Sequence, residues 1–259
     1  MTKQVFGTTE WAASNANCIS GCVHNCHYCY AKSMAIRFKR KTVDTWKEEE
    51  HRGCKKVGKR LGRIMFPTTH DLTPSNADFC FDYLKQILEV GNEILLVSKP
   101  HYEVIEKFCR VFSSYKDKIL LRFTIGSASS KTLALWEPGA PNFTERLEAL
   151  VEAKKEGFRT SVSCEPMLDT DMGDLIDSVR PWITDCVWLG IMNSPFARLG
   201  INGAPENVME AAAKLVAFYD SVAVKALYNR YKDDPMIKWK ESIKKIVGLE
   251  IPTEKGLDV

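Results

Sequence analysis

Short apolar runs of strand length alternate along this chain with segments whose apolar residues recur at helical spacing. That is the signature of repeated β/α units rather than of a helical bundle or a sandwich. The pattern predicts six strands, near Asn15 to Ser20, Arg63 to Thr69, Glu93 to Lys99, Lys118 to Ile125, Arg159 to Glu165 and Cys186 to Met192. Helices are predicted in AKSMAIRFKR, NADFCFDYLKQILEV, HYEVIEKFCRVFSSY and FTERLEALVEAKKEG, over Asp174 to Val179 and Glu206 to Phe218, and in the closing segment WKESIKKIVG. No long Gly, Ser or Pro linker and no solenoid-length repeat interrupts them. The expectation is one domain over residues 1–259, with a core of about 12–195 and a C-terminal extension of about 205–259.

Polar residues fall on one side of the later strands. Ser161, Ser163 and Glu165 alternate with Val162 and Cys164, and Arg122 and Thr124 alternate with Leu121, Phe123 and Ile125. A barrel of parallel strands with a polar lumen open to ligand would give this pattern, with its site at the carboxyl ends of the strands. A sheet edge with one face in solvent would give it too.

The 259 residues, 45% of them hydrophobic, suffice for one sizeable core. No apolar run is long enough to cross a bilayer, and MTKQVFGTTEWAASN lacks the charged start and apolar stretch of a secretory signal, so the expectation is a soluble cytoplasmic protein. The net charge of +3 is unevenly placed. From Arg37 to Arg63 there are eleven Lys and Arg against four Asp and Glu. Such a stretch could track a nucleic-acid backbone, or form the solvated face of a charged hairpin, since TWKEEE interrupts it.

Cysteine changes the picture most. Four of the nine crowd between positions 18 and 29, in NCISGCVHNCHYCYAKS, an arrangement that points to metal in a reducing compartment rather than to disulfides. Cys22, Cys26 and Cys29 are spaced so that three soft thiolates on one loop can cap three corners of an iron-sulfur cubane. The fourth iron is then open to chelate the amino and carboxylate groups of a methionine. A zinc site completed by Cys18, His24 or His27 is the alternative, although no second ligand pair follows downstream. Cys18 is expected as a buried thiol.

The triad, with an aromatic before its third cysteine, resembles the radical S-adenosylmethionine (SAM) superfamily, and CVHNCHYCYA is particularly similar to the spore photoproduct lyase branch, where HYCY also occurs. MFPTTHDL, ILLVSKP, LLRFTIGS and RTSVSCEPML fall where that branch has its second to fifth strands, so the resemblance covers about residues 12 to 195. It implies an α/β fold, a partial (βα)6 TIM-type barrel with a charged insertion after the first helix and a C-terminal helical tail. It also implies a [4Fe-4S] cluster on Cys22, Cys26 and Cys29, reduced by an external donor such as flavodoxin or ferredoxin. The reduced cluster would cleave SAM to methionine and a 5'-deoxyadenosyl radical that abstracts hydrogen from a substrate, with nucleic acid as one candidate class.

Carried over to this sequence, Tyr28 would sit by the adenine, Lys99 would pair with the methionine carboxylate and Thr124 would hydrogen-bond the same end. His70, Ser163 and Glu165 are further cofactor-site candidates on the strands, and Asn193, ending the sixth strand, is a candidate for contacting adenine or substrate. The lyase carries a hydrogen-donating cysteine where this chain has Thr68, and a hydroxyl cannot give up a hydrogen atom as a thiol does. Repair of spore photoproduct is therefore not expected unless Cys164 or a tyrosine substitutes. Cys164 reads as core, and Tyr30 is the candidate for radical relay, with a packing aromatic as its alternative. The loop WEPGAPNF reads as a connection without catalytic residues, and NRYKDDPMIKWKESIKK as amphipathic packing. The competing functional class is a nucleic-acid-binding protein with a structural zinc or iron-sulfur loop and no radical chemistry.

Overall fold

The computed structural model describes residues 4–53 and 57–259; Cys54, Lys55 and Lys56 of the basic stretch lie outside the described residues. In chain order the strands are β1 (Ser14–Asn15), β2 (Ile19–Ser20), β3 (Glu50–His51), β4 (Ile64–Phe66), β5 (Ile94–Ser98), β6 (Ile119–Thr124), β7 (Arg159–Cys164), β8 (Val187–Leu189) and β9 (Ile237–Trp239). The helices are α1 (Tyr30–Arg37), α2 (Ala77–Glu89), α3 (Tyr102–Val111), α4 (Ser130–Trp136), α5 (Phe143–Lys155), α6 (Gly173–Val179), α7 (Pro195–Ile201), α8 (Glu206–Phe218), α9 (Ser221–Tyr231) and α10 (Glu241–Val247).

Seven strands form one sheet in the order β1-β4-β5-β6-β7-β8-β9, every neighbouring pair parallel. The edge strands β1 and β9 do not pair with each other, so the barrel is open. β2 and β3 make a separate antiparallel pair that joins the start of the cysteine loop to the charged insertion.

Parallel strands joined by helical crossovers are covered on both faces, which is why β5 and β6 read as nearly continuous apolar runs. Ile94, Leu96, Leu121, Phe123, Val162 and Cys164 point outward into the core shared with α2, α3 and α5. Met65, Leu95, Leu120, Cys186 and Trp188 point inward, against Trp11. Cys164 therefore lies in the helix layer, as its place in the alternation predicts.

Three corrections to the sequence reading follow. The barrel has seven parallel strands where six are predicted. The seventh, β9, lies in NRYKDDPMIKWKESIKK, and the helix that follows starts only at Glu241. Ile237 and Trp239 are buried while Lys238 between them is half-buried, a period of two that is too short to stand out beside a charged helix. The predicted first strand splits in two: Ser14–Asn15 joins the main sheet, and Ile19–Ser20 pairs with Glu50–His51. Helices α4, α7 and α9 were not anticipated; α4 and α9 are started by side-chain caps from Ser129 and Asp220.

The lumen also departs from expectation at its floor. Arg122 is fully buried, and instead of facing a ligand it forms two 2.9 Å hydrogen bonds to Asp258 and one of 3.0 Å to Ser161. Its guanidinium also lies over the rings of Trp11 and Trp188. The C-terminal segment runs beside the N-terminal one, with Gly256 and Asp258 donating to Thr9 and Glu10 carbonyls, and this brings Asp258 to Arg122 and Arg63. No helix among the described residues is long and apolar enough to cross a membrane.

Candidate active site

A cavity of ≈ 530 Å³ opens at the carboxyl ends of the strands. Its wall includes Cys22, Cys26 and Cys29 from the loop after β2, Lys99 after β5, Thr124 at the end of β6 and Glu165 after β7.

The cysteine loop is braced from three sides. Cys22 donates its N–H to the Trp46 carbonyl in the charged insertion, and Gly21, with φ of 95°, sits where a Cβ would come within 2.3 Å of the Glu48 carbonyl oxygen. His27 donates to the Trp136 carbonyl, Gly139 donates to that of His24, and a Cβ on Gly139 would meet the Val23 oxygen at 2.4 Å. Asn202, after α7, donates its amide to the carbonyls of both His27 and Cys29, at 2.8 and 2.9 Å. Cys29 then caps α1, its sulfur accepting from the Lys32 N–H. The Trp136–Gly139 turn, read from sequence as a mere connection, is thus a brace. Glu137 inside it is buried between the Tyr28 hydroxyl and the Arg146 guanidinium, both donating to it.

Charge in the site centres on Asp71. One carboxylate oxygen accepts from the Lys99 N–H at 2.9 Å and from Ser98 Oγ at 3.2 Å, while the other lies 2.9 Å from His24 Nδ1 and 3.6 Å from Lys99 Nζ. Burial alone would raise the Asp71 carboxyl, but Lys99 and His24 hold it well below the usual carboxylate range. Burial works against the Lys99 ammonium too, and the Asp71 carboxylate, with Glu137 further off, more than offsets it. The thiols of Cys22, Cys26 and Cys29 are all pushed up, first by burial, so the metal-free loop is neutral and metal binding must displace protons.

Three thiols on one loop are a soft donor set of the kind that holds iron-sulfur clusters or zinc. Cys22, His24 and Asp71 bring ligand atoms within 4.8 Å of one another, so a mononuclear grouping also stands beside the triad. Cys18 is fully buried with its sulfur 3.5 Å from that of Cys80, and both ring nitrogens of His24 are engaged, by Asp71 and by His101 Nε2 at 2.9 Å.

Of the other predicted site residues, Tyr28, Tyr30, His70, Lys99, Thr124, Glu165 and Asn193 all line the cavity. Tyr28 is buried, with Lys99 Nζ 5.8 Å from its ring centre, whereas Tyr30 is 58% exposed at the rim with the Arg198 guanidinium over its ring. Burial lowers His70 to about 4, which keeps it neutral. Burial raises Glu165, with Lys240 Nζ 3.6 Å away opposing the shift. Asn193 donates to Glu241 at 3.2 Å. Ser163 is placed differently. It is buried, in register with Thr124 and Trp188, and is not among the residues lining the cavity. Thr68 does line it, its hydroxyl held 2.8 Å from the Asn17 amide.

Sequence reasoning passed over Asp71, Arg198 and Glu241, which also face the cavity. Asp71 was within reach, because it sits in the quoted THDL segment beside His70. Arg198 and Glu241 come from α7 and α10, and only the folding of the C-terminal third brings them to the site.

A family model described as Radical SAM superfamily matches residues 16–179, and the chain belongs to that superfamily. Membership of that family implies SAM and an iron-sulfur cluster. An uncharacterized protein of Acidianus two-tailed virus is 26% identical over 162 residues, 57% of this chain and 53% of that protein. The chain thus spans about half the length of that curated relative. Among solved structures, Streptococcus suis SuiB bound to S-adenosylmethionine is similar in fold with a TM-score of 0.55 and 9% identity, covering 94% of this chain and 54% of that one. A spore photoproduct lyase variant with bound AdoMet and dinucleoside spore photoproduct gives a TM-score of 0.52 and 16% identity, covering 77% of this chain and 62% of that one.

Proposed function

We propose that Cys22, Cys26 and Cys29 hold a [4Fe-4S] cluster with one iron open to SAM, and that the cavity beside it binds SAM next to a second, organic substrate. When bound, the cluster supplies the electron that splits SAM into methionine and a 5'-deoxyadenosyl radical, which takes a hydrogen atom from that substrate. The observation that carries this reading is the convergence of the three thiols and the Lys99 ammonium on one cavity at the strand ends. There Lys99, steadied by Asp71, offers its remaining N–H donors to a carboxylate, and Thr124 adds a hydroxyl at the same end. Tyr28 presents a buried aromatic face for the adenine, and Glu165, His70 and Asn193 supply hydrogen-bonding groups across the cavity. Tyr30, at the rim, stands where a radical could be relayed, although its exposure leaves such a radical open to solvent.

Nucleic acid is the substrate class we favour, on the strength of the exposed Arg37, Lys39, Arg40 and Lys47 next to the cysteine loop. Part of the same basic stretch is spent internally: Lys41 pairs with Glu50, and Arg60 bonds Ser14 and the Asn15 carbonyl. The footprint is therefore smaller than the charge count suggests. A flavodoxin or ferredoxin of the cytoplasm is the proposed reductant.

Replacing Cys22, Cys26 and Cys29 by alanine is expected to abolish both the brown cluster absorbance and reductive SAM cleavage in anaerobically reconstituted protein. Cleavage that survives in the triple variant contradicts the assignment.

A further inference from the structure

A second set of soft ligands lies beside the first. Cys18, immediately before β2, and Cys80, on α2, bring their sulfurs to 3.5 Å, and His70 Nε2 is 3.7 Å from the Cys80 sulfur. All three donor atoms lie within 4.8 Å of one another, and all three residues are buried. For tetrahedral zinc with bonds of about 2.3 Å to sulfur and about 2.0 Å to imidazole, ligand atoms are separated by about 3.8 Å for two sulfurs and about 3.6 Å for sulfur and nitrogen. The observed spacing is that of a mononuclear site.

We propose that Cys18, His70 and Cys80 bind one zinc ion, separate from the iron-sulfur cluster. Binding displaces the two thiol protons, and the neutral imidazole coordinates through Nε2. The ion adds a tie between three segments that Asn17 and Asn76 already link by hydrogen bonds: the entrance to the cysteine loop, four residues before Cys22; the turn after β4, which carries Asp71; and helix α2. Its role is to hold the loop and Asp71 in fixed relation, which no bond between Cys18 and Cys80 alone would do, since that would leave His70 out.

The test is made on the full chain carrying its iron, with zinc and iron counted separately. The expected result is about one zinc per chain, with a zinc-edge X-ray absorption spectrum that fits two sulfurs at about 2.3 Å and lighter ligands at about 2.0 Å. Cys18→Ser and Cys80→Ser should lose at least nine-tenths of the zinc and keep the iron, while the Cys22, Cys26 and Cys29 alanine variant should lose the iron and keep the zinc. If the serine variants do not fold, the zinc-edge spectrum of the unaltered protein decides alone. Protein that takes up no zinc from an equimolar solution overturns the site, as does zinc that disappears with the loop cysteines. A Cys18–Cys80 disulfide found by mass spectrometry of anaerobically prepared protein also overturns it. A failed cluster would register as missing iron with zinc intact, so the two assignments fall independently.

Discussion

The mouth and the floor of this barrel are built by the same strands with the same inward polar pattern, yet they do opposite things with it. At the floor, Arg122 is closed off by Asp258, Ser161 and two tryptophan rings. At the mouth, Thr124, two residues further along the same strand, faces an open cavity together with Lys99 and Glu165. An inward polar side chain therefore does not mark a ligand site by itself. What distinguishes the two is whether the chain supplies the partner from within.

The contrast can be broken most forcefully at the floor. Asp258→Ala leaves the Arg122 guanidinium buried without its carboxylate, and loss of one partner of such a pair costs about 3–5 kcal/mol. Urea unfolding should report that loss while SAM cleavage per folded molecule stays unchanged. If cleavage collapses with stability unchanged, floor and mouth are not separate.

Between the two levels lies Glu10, whose carboxylate is 3.0 Å from the fully buried Lys240 ammonium yet accepts no well-directed hydrogen bond among the described residues. Burial outweighs Lys240 and lifts its carboxyl from 4.5 to about 7. The folded state therefore holds this proton more tightly than the unfolded chain does. The stability from Glu10 is fully present below pH 4.5 and is lost as pH rises to about 7. Glu10→Gln should flatten that part of the stability profile, measured by unfolding at a series of pH values. An unchanged slope would assign the dependence to other groups.

The smallest effect is expected at the mouth itself. Thr124→Ala removes one hydroxyl from a cavity wall and should leave stability nearly untouched. It should weaken SAM binding by about 1 kcal/mol, roughly fivefold, as measured by equilibrium dialysis. Equal affinity in the variant would remove Thr124 from the binding surface.

How much of this was legible beforehand depends on the distance over which the chemistry is assembled. Cys22, Cys26 and Cys29 could be picked out at once because their spacing is local, Thr124 because strand alternation assigns it a face, and Lys99 through the family resemblance. Arg122 shares that alternation and was misread as ligand-facing, because its partner lies 136 residues away, at the far end of the chain. Ser163 shows that alternation gives a face but not access: it is level with Thr124 in the sheet yet buried, and it is not among the residues lining the cavity. The Trp136–Gly139 brace left no signal in composition, since what it supplies is backbone carbonyls and the absence of a Cβ. Strand β9 was hidden because three residues between charged helices carry too short a period to declare themselves.

Everything at the mouth depends on an iron that SAM can reach. Electron paramagnetic resonance of the anaerobically reduced protein, recorded before and after adding SAM, tests this most directly. The account predicts that the spectrum of the reduced cluster changes on SAM addition and that 5'-deoxyadenosine and methionine then accumulate in equal amounts. A reduced cluster whose spectrum is the same with and without SAM would contradict it.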